Sequence, residues 1–239
     1  MNKEFADKVV LVAGGIGELG GPVTRGFVER GAKVVVPFIS EMKLNTFLAD
    51  FPQLRKSVRF HRVDLSNEKM VHDFVEGVRK REGRIDVLVN LTGGYRAGVE
   101  VAESESYDFT EMLNLNFTTV YTVTKAVLPQ MFEAGGGKIV NVGSSAGLRG
   151  SAGHAPYSIA KSAVIRLTES LADEVKRDGI NVNCILPSTI DTRRNRMEMP
   201  DADTADWVTA AELADVIFFL CSERARTIHG AAIPVYGRA

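Results

Sequence analysis

The sequence predicts an α/β fold in which a parallel sheet is covered by helices on both faces. Short apolar runs alternate with longer helical patterns along the chain, which is the order of elements in such folds. Most of these runs are apolar on both faces, as strands buried from both sides are. The chain has 239 residues, 45% of them hydrophobic, so we expect one core and a single domain over residues 1–239.

The elements of the first half follow in order. Val9–Val12 is the first strand, and a helical pattern continues from the glycines after it to Arg30. "GAKVVVPF" is the second strand, and Glu41–Phe51 is helical. "VRFHRVDL" is the third strand, a helix covers about 67–81, and "IDVLVNLTGG" is a fourth strand that continues into a loop.

The second half repeats the alternation with longer helices. A helix is expected over Ser106–Phe132, before the fifth strand "GGGKIVNVGSS", and another over Pro156–Arg177. "INVNCILP" is the sixth strand, Ala210–Cys221 a helix, and "AAIPVYG" the last strand. Thr189–Asp206 is the least regular stretch and is rich in charge, so we expect a mobile loop over a site.

Composition argues against several partners. With 29 basic and 30 acidic residues, the formal net charge of -1 favours neither nucleic acid nor an anionic membrane. No apolar run is long enough to cross a membrane, and "MNKEFADK" lacks the apolar core of a signal peptide. Cys184 and Cys221 match no metal spacing, so we expect no metal, two buried reduced thiols and a cytoplasmic location.

The stretch "VAGGIGELGG" lies between the first strand and the first helix, with Gly14, Gly17 and Gly20 at steps of three. A glycine-rich turn at this place is typical of dinucleotide binding, because the backbone and the helix N-terminus can approach a pyrophosphate. Glu18 lies inside the turn, and its carboxylate would repel a phosphate. We therefore expect the Glu18 side chain to face solvent, away from the phosphates.

Tyr157 and Lys161 in "YSIAK" are four residues apart and therefore share one face of a helix. A phenol has an ordinary pKa of about 10, and a nearby ammonium favours the phenolate. The pair is thus a candidate acid/base, although such a pair is often only a surface contact. Ser144 follows the fifth strand, at the end of the sheet where ligands bind in parallel α/β folds.

Several motifs occur in the order found in the short-chain dehydrogenase/reductase family: "VAGGIGELG", "VDL", "VNLTGG", "NLNF", "VLPQM", "IVNVGSSAG", "YSIAK" and "LPSTIDT". The chain resembles that family over nearly its full length. The resemblance implies a Rossmann-like doubly wound sheet, bound NAD(H) or NADP(H), and hydride transfer between nicotinamide and a small carbonyl or alcohol. It also implies that Tyr157 is the acid/base, that Lys161 lowers its pKa and holds the ribose, that Ser144 polarises the carbonyl, and that Asn116 holds a relay water.

The resemblance further implies which residues contact the cofactor. They lie on the glycine turn, at the ends of strands, on the "YSIAK" helix and in the loop after the sixth strand. They are Gly14, Gly15, Ile16, Gly17, Leu19, Phe38, Asp64, Leu65, Asn90, Leu91, Thr92, Gly93, Tyr157, Lys161, Pro187, Ile190 and Thr192.

The chain departs from the family pattern at several of these positions. Glu18 stands where a glycine is usual, and "NLTGG" replaces the usual N-N-A-G. Phe38 stands where NAD-preferring members carry an acid that binds the ribose hydroxyls. The absence of that acid removes a repulsion against the 2′-phosphate of NADP. Ser40, Lys43 or Arg62 are candidates for a contact with this phosphate. Cofactor preference is left open, leaning toward NADP or use of both.

A narrower resemblance, to quinonoid dihydropteridine reductases, rests on "GGIGELG", "TGGYRAG" and the segment Thr189–Trp207, which corresponds to a substrate loop. That branch generally lacks the serine and asparagine found here, which argues against membership of it. Pterin reduction is therefore kept as an alternative to the main function. The expected substrate contacts are Tyr95, His154 and Trp207, although loop anchoring explains the aromatic residues equally well. The arginines at 193, 194 and 196 are expected to be solvated.

Two other functions are weighed against the enzyme. A catalytically silent cofactor-sensing scaffold usually loses the tyrosine or the lysine, and this chain has both. A sugar epimerase or dehydratase carries a larger C-terminal substrate domain than fits after Thr192. The resemblance also implies that the helices over Ser106–Phe132 and Pro156–Arg177 pack against their copies, which predicts a homodimer or homotetramer.

Overall fold

A computed structural model describes residues 3–238 of the chain. Seven parallel strands form one sheet in the order β3-β2-β1-β4-β5-β6-β9, and β7 and β8 form a separate parallel pair. The strands are β1 (Val9–Ala13), β2 (Lys33–Phe38), β3 (Val58–Arg62), β4 (Val87–Asn90), β5 (Gly137–Val142), β6 (Ile180–Pro187), β7 (Ile190–Asp191), β8 (Val208–Thr209) and β9 (Ala232–Val235).

The helices lie on both faces of the seven-stranded sheet, as the sequence predicts. They are α1 (Gly20–Glu29), α2 (Glu41–Asp50), α3 (Glu68–Glu82), α4 (Ser106–Leu113), α5 (Thr119–Glu133), α6 (Ala155–Val175), α7 (Arg193–Glu198) and α8 (Ala210–Cys221). Side-chain caps begin several of them. Asn67 accepts from Met70 N at the start of α3, and Thr209 and Glu212 form a capping box on α8.

The strand order reverses between β1 and β4. The chain proceeds from β1 to β2 and β3 on one side, then returns to place β4 on the other side of β1. In a parallel sheet, this reversal opens a crevice at the carboxyl ends of the two central strands. The predicted doubly wound sheet is therefore confirmed, and the crevice lies where the glycine turn and "NLTGG" meet.

Alternate residues of the central strands pack into two separate cores. Val10 and Val12 of β1 face one layer with Phe27 of α1, whereas Val9 and Leu11 face the other layer. All five residues of β1 are buried, which explains why the strand is apolar at every position. The helices that complete the layers are α1, α2 and α8 on one face, and α3, α5 and α6 on the other.

The single helix predicted over Ser106–Phe132 is wrong in one respect, because a π-helical turn over Asn114–Thr118 separates α4 from α5. Side chains compete for the helical carbonyls there: Asn116 Nδ2 donates to Met112 O at 3.1 Å, and Thr119 Oγ1 donates to Leu115 O at 2.9 Å. The wider turn leaves Asn116 fully buried. Such turns often occur at functional sites.

The stretch Thr189–Asp206 contains more regular structure than its sequence pattern indicates. Its ends are joined by the pairing of Ile190 with Val208 in the short β7–β8 ladder. Between them lies α7, which begins where the Thr192 side chain accepts from Asn195 N at 3.1 Å. No residue of α7 is buried, so polar contacts and not a core hold this short helix in place.

No helix within residues 3–238 is both long enough and apolar enough to span a membrane.

Candidate active site

The glycine turn forms one wall of the crevice. Gly14 has φ 81°, a left-handed conformation, and a Cβ there would lie 2.8 Å from the backbone of Leu91 and Thr92. Gly20 begins α1 so close to the turn that its Cβ would lie 2.3 Å from Gly14 O. Gly17 is exposed. The turn thus packs against the β4 loop without side chains and leaves its backbone open to a ligand.

A cavity of about 520 Å³ lies at the carboxyl ends of β1, β2, β3 and β4, within the size range of small-molecule sites. Residues from four of the family motifs line it. Of the predicted cofactor contacts, the lining contains Gly14, Ile16, Gly17, Phe38, Asp64, Leu65, Leu91, Thr92 and Gly93. A cavity of this volume, with bare backbone at one end, fits the nucleotide part of NAD(P).

The remaining predicted cofactor contacts lie outside this lining. Two of them have structural partners: Gly15 is buried and its carbonyl accepts from Thr24 Oγ1 at 2.9 Å, and Asn90 Nδ2 donates to Asn141 Oδ1 at 2.9 Å. The others lie just before α1, on α6, or at and after the end of β6. They are Leu19, Tyr157, Lys161, Pro187, Ile190 and Thr192.

The cavity also has lining residues that the sequence analysis did not assign. One wall is a face of α4 and the π-helical turn: Tyr107, Thr110, Glu111, Asn114 and Leu115. Their spacing of three and four residues is the signal that identifies them once this helix is known to follow β4. Ser40 and Lys43 also line the cavity, whereas Arg62 does not, although it pairs with Phe38 in the β2–β3 ladder.

The four residues predicted to act in catalysis come from three parts of the chain and meet beside this cavity. Ser144 follows β5, and Tyr157 and Lys161 lie one turn apart on α6. Lys161 is almost fully buried, and its Nζ donates to Val142 O at 2.9 Å and lies 6.0 Å from the centre of the Tyr157 ring. A Cβ on Gly93 would lie 2.7 Å from Asn116 Oδ1 and 3.2 Å from Lys161 Nζ, so Asn116 joins the same cluster.

Burial sets the protonation of this cluster. Burial raises the pKa of the Tyr157 phenol, while the hydrogen bond with Ser144 opposes the rise. The resemblance implies that Lys161 lowers this pKa, but Lys161 is not among the groups that shift it here. Burial instead lowers the pKa of Lys161 itself to about 8. Tyr157 therefore keeps its proton at neutral pH, as a proton donor must.

Tyr95 and His154 lie together beside Tyr157. Tyr95 Oη and His154 Nε2 are 2.8 Å apart, and His154 Nδ1 is 2.8 Å from Ala152 O. The ring of Tyr95 meets that of Tyr157 edge to face, with centroids 5.0 Å apart. Trp207 stands elsewhere, in the turn before β8, where its backbone N–H donates to Thr204 O.

The arginines expected to be solvated are exposed, but each has a polar partner in the protein. Arg193 pairs with Asp50 at 2.5 Å, Arg194 donates to Tyr95 O at 3.2 Å, and Arg196 pairs with Asp191. Glu18 is also exposed, yet its carboxylate is not simply solvated: Oε2 accepts from Arg193 N at 2.6 Å. The glycine turn, which lines the cavity through Gly14, Ile16 and Gly17, is therefore in direct contact with α7.

A second cavity, of about 470 Å³, lies at the opposite end of the sheet. The buried Asp86 and the mostly buried Lys138 in its lining both have partners. Asp86 accepts from Val9 N and pairs with Lys8 and Arg84, and Lys138 donates to Asn181 Oδ1 at 2.7 Å. Within residues 3–238 there is no group of three or more His, Cys, Asp or Glu that could hold a metal ion.

Comparison with known proteins identifies the family. A family model described as short chain dehydrogenase matches residues 8–203. The chain is also 32% identical over 247 residues to the 3-oxoacyl-[acyl-carrier-protein] reductase FabG of Chlamydia muridarum, with 99% of each chain covered. The chain belongs to the short-chain dehydrogenase/reductase family.

Other members of the family extend the comparison. The chain is 34% identical to (2S)-[(R)-hydroxy(phenyl)methyl]succinyl-CoA dehydrogenase subunit BbsD of Thauera aromatica, covering 97% of this chain and 96% of that one. The structure of ElxO with NADP bound is similar with a TM-score of 0.89, 28% identity and coverage of 96% and 97%. That of NAD+-bound xylitol dehydrogenase has a TM-score of 0.88, 27% identity and coverage of 98% and 100%.

The protein is accordingly an NAD(P)-dependent oxidoreductase that transfers a hydride to or from nicotinamide. Its fold is the Rossmann-like fold of the family, in one domain. The relatives include both an NADP-bound and an NAD-bound structure, so family membership leaves the preference between the two cofactors open.

Proposed function

We propose that this oxidoreductase interconverts a small carbonyl compound and the corresponding alcohol, with Tyr157 as the acid/base. The observation that carries the proposal is the half-buried Tyr157 phenol, which keeps its proton, interacts with Ser144 and meets the exposed ring of Tyr95 edge to face. The nicotinamide, when bound, supplies or accepts the hydride. Tyr157 Oη donates a proton to the substrate oxygen during reduction and takes it back during oxidation.

Ser144 and Lys161 support this proton transfer in different ways. The Ser144 hydroxyl, next to the Tyr157 phenol, donates a hydrogen bond that holds the carbonyl oxygen in line with Tyr157. Lys161, held by Val142 O, keeps two of its three ammonium hydrogens for the cofactor ribose and for proton exchange with Tyr157. Thr92, Gly93, Pro187, Ile190 and Thr192 are proposed to surround the nicotinamide.

Asn116 fits a positioning role better than direct chemistry. Its Oδ1 accepts from Gly94 N at 3.1 Å and its Nδ2 donates to Met112 O at 3.1 Å, so both ends of the amide are engaged. The amide thereby holds the loop Gly93–Gly94 against Lys161. We propose that the relay water implied by the resemblance is organised around this buried turn.

The test of the proposed reaction combines turnover with a Tyr157→Phe variant. NAD(P)H oxidation is measured on a panel of ketones, β-keto thioesters and quinonoid dihydropterin. We expect turnover of at least one class, and a fall in kcat/KM of about 10²- to 10⁴-fold in Tyr157→Phe with NAD(P)H binding unchanged. A variant with undiminished turnover would contradict the assignment, as would failure of the protein to bind either cofactor. A role in cells that survives Tyr157→Phe would instead indicate the scaffold alternative.

We propose that NADPH is preferred over NADH or used equally well. Phe38 presents no carboxylate to a 2′-phosphate, and Lys43 and Ser40 line the cavity beside it. Fluorescence titration of Lys43→Ala should weaken NADPH binding about tenfold and leave NADH binding unchanged, because only the 2′-phosphate meets the ammonium. Arg62→Ala is the matched control, because Arg62 lies outside the lining. Equal losses for both cofactors would contradict this contact.

The substrate is proposed to bind against Tyr95 and His154, beneath the segment 189–207. The edge-to-face contact of Tyr95 with Tyr157 presents an aromatic surface on which a flat substrate can lie. Trp207 stands at the base of the segment and is proposed to border the same pocket. A Tyr95→Ala variant should raise KM for an aromatic ketone more than for a small aliphatic one; equal changes would argue for loop anchoring.

We propose that the protein is a cytoplasmic homodimer or homotetramer built on α4, α5 and α6. These helices expose large apolar side chains, among them Tyr107, Tyr121, Phe132 and Ile159. A second copy packed against them would remove this surface from water. Light scattering of the purified protein should give a multiple of the monomer mass of 26.0 kDa, and a monomeric mass would reject the assembly.

A further inference from the structure

We infer that Glu18 is a positioning residue that holds α7 closed across the crevice, so that release of the cofactor requires the contact between Glu18 and Arg193 to break. The inference rests on the oxidoreductase function assigned above. It gives a role to the one acidic residue in the glycine turn, at a position where glycine is usual in the family.

The contact joins the glycine turn, whose Gly17 lines the cavity, to a helix far along the chain. Glu18 Oε2 accepts from the backbone N–H of Arg193 at 2.6 Å, although 175 residues separate the two. Because the donor belongs to the backbone, the contact fixes α7 itself and not merely a flexible side chain. A hydrogen bond to an ionised carboxylate is also stronger than one between neutral groups.

Two further contacts attach the same short helix to other parts of the chain. The Arg193 guanidinium pairs with Asp50 at the end of α2, and Arg194 Nη2 donates to Tyr95 O in the loop after β4. Since no residue of α7 is buried, these polar contacts determine where it lies. The helix thus spans from the glycine turn to the loop that carries Tyr95, over the space between them.

A glycine at position 18 would leave Arg193 N without this acceptor. The side chains of Arg193 and Arg194 would keep their partners, so the fold would persist while the end of α7 near the glycine turn loosened. The structure therefore predicts a more mobile α7 in Glu18→Gly, and a glutamine at this position should preserve the closed arrangement because its side-chain oxygen still accepts a hydrogen bond.

The two variants also separate this role from a purely electrostatic one. If Glu18 acted mainly by repelling the cofactor phosphates, Glu18→Gln and Glu18→Gly would behave alike, because both remove the charge. If Glu18 acts as an acceptor for Arg193 N, only Glu18→Gly will alter the mobility of α7 and the release of the cofactor. Glu29→Gln is the matched control, since Glu29 is another exposed glutamate, on α1, that pairs with Arg25.

The experiment measures two rates on the full-length protein. Limited trypsin digestion, followed by mass spectrometry, reports opening of α7 through cleavage after its three exposed arginines. Stopped-flow displacement of bound NADPH reports release of the cofactor. We expect cleavage and release in Glu18→Gly to be roughly tenfold faster than in the wild type. Glu18→Gln and Glu29→Gln should have rates close to those of the wild type.

Unchanged rates in Glu18→Gly would overturn the inference, and so would a Glu18→Gln variant that matches Glu18→Gly. The experiment distinguishes failure of this inference from failure of the proposed function. Absence of NADPH binding in the wild type would refute the proposed function, while the trypsin rates would still test the contact between the glycine turn and α7.

Discussion

Replacing Lys161 by methionine should make the protein more stable while removing its activity. Lys161 is only 4% exposed, and burial lowers its pKa from 10.5 to about 8. A difference of one in pKa corresponds to about 1.4 kcal/mol, so at neutral pH the buried ammonium costs about 3 kcal/mol relative to the unfolded chain. Methionine fills a similar volume without a charge.

Part of this gain is offset, because Val142 O loses the hydrogen bond from Lys161 Nζ. A lost partner of this kind costs about 1 kcal/mol, which leaves a net stabilisation of about 2 kcal/mol for Lys161→Met. The sign follows from proton binding. Between pH 8 and 10.5 the unfolded chain holds a proton that the folded protein has released, so wild-type stability rises with pH across that window.

Urea denaturation of wild type and Lys161→Met at pH 7 and at pH 10 measures this effect. The variant should be more stable at pH 7, and its advantage should disappear by pH 10. Lys138→Met is the control, because Lys138 is nearly as buried but pairs with the Glu223 carboxylate as well as with Asn181, so its replacement should destabilise the protein. A Lys161→Met variant that is less stable at pH 7, or whose advantage does not change with pH, would refute the reasoning.

Further predictions concern pH and the glycine turn. Since Lys161 loses its charge as pH rises through about 8, kcat/KM for carbonyl reduction should fall there, and Lys161→Arg should move the fall to higher pH; a flat profile to pH 9.5 would contradict this. Gly14→Ala should cost about 2–4 kcal/mol in chemical denaturation, because its φ is 81° and its Cβ would overlap the backbone of Leu91. Gly77→Ala, where a Cβ meets nothing within 4 Å, should instead leave stability unchanged or raise it by up to about 1 kcal/mol.

The strands and most helices were predictable because local sequence determines them. β1 is buried along its whole length, so its apolar run could not be mistaken for an amphipathic element. Ala210–Cys221 was predicted with the bounds that α8 has, and the structure shows that Thr209 and Glu212 cap its start. Ser144, Tyr157 and Lys161 could be selected because their spacing and their place after a strand or on a helix carry chemical meaning.

Other features depend on contacts that no local pattern encodes. The π-helical turn arises where Asn116 and Thr119 bond to nearby carbonyls, and many helices contain such residues without a turn of this kind. The partner of Glu18 is a backbone N–H, which every residue except proline offers, so sequence does not single out Arg193. Burial of Tyr157 and Lys161, which determines their protonation, likewise depends on the assembled layers.

The π-helical turn at Asn114–Thr118 ties the integrity of the site to the assembly of the fold. A π-helical turn accommodates one residue more than an α-helix would, and each residue rotates the chain by about 100°. The surplus residue therefore sets which face α5 turns toward the sheet, where Val123, Val127 and Met131 are buried. A chain that lost it would misalign those side chains and expel Asn116 from the cluster at the same time. Correct packing of α5 against the sheet therefore requires the same turn that places Asn116 beside Lys161.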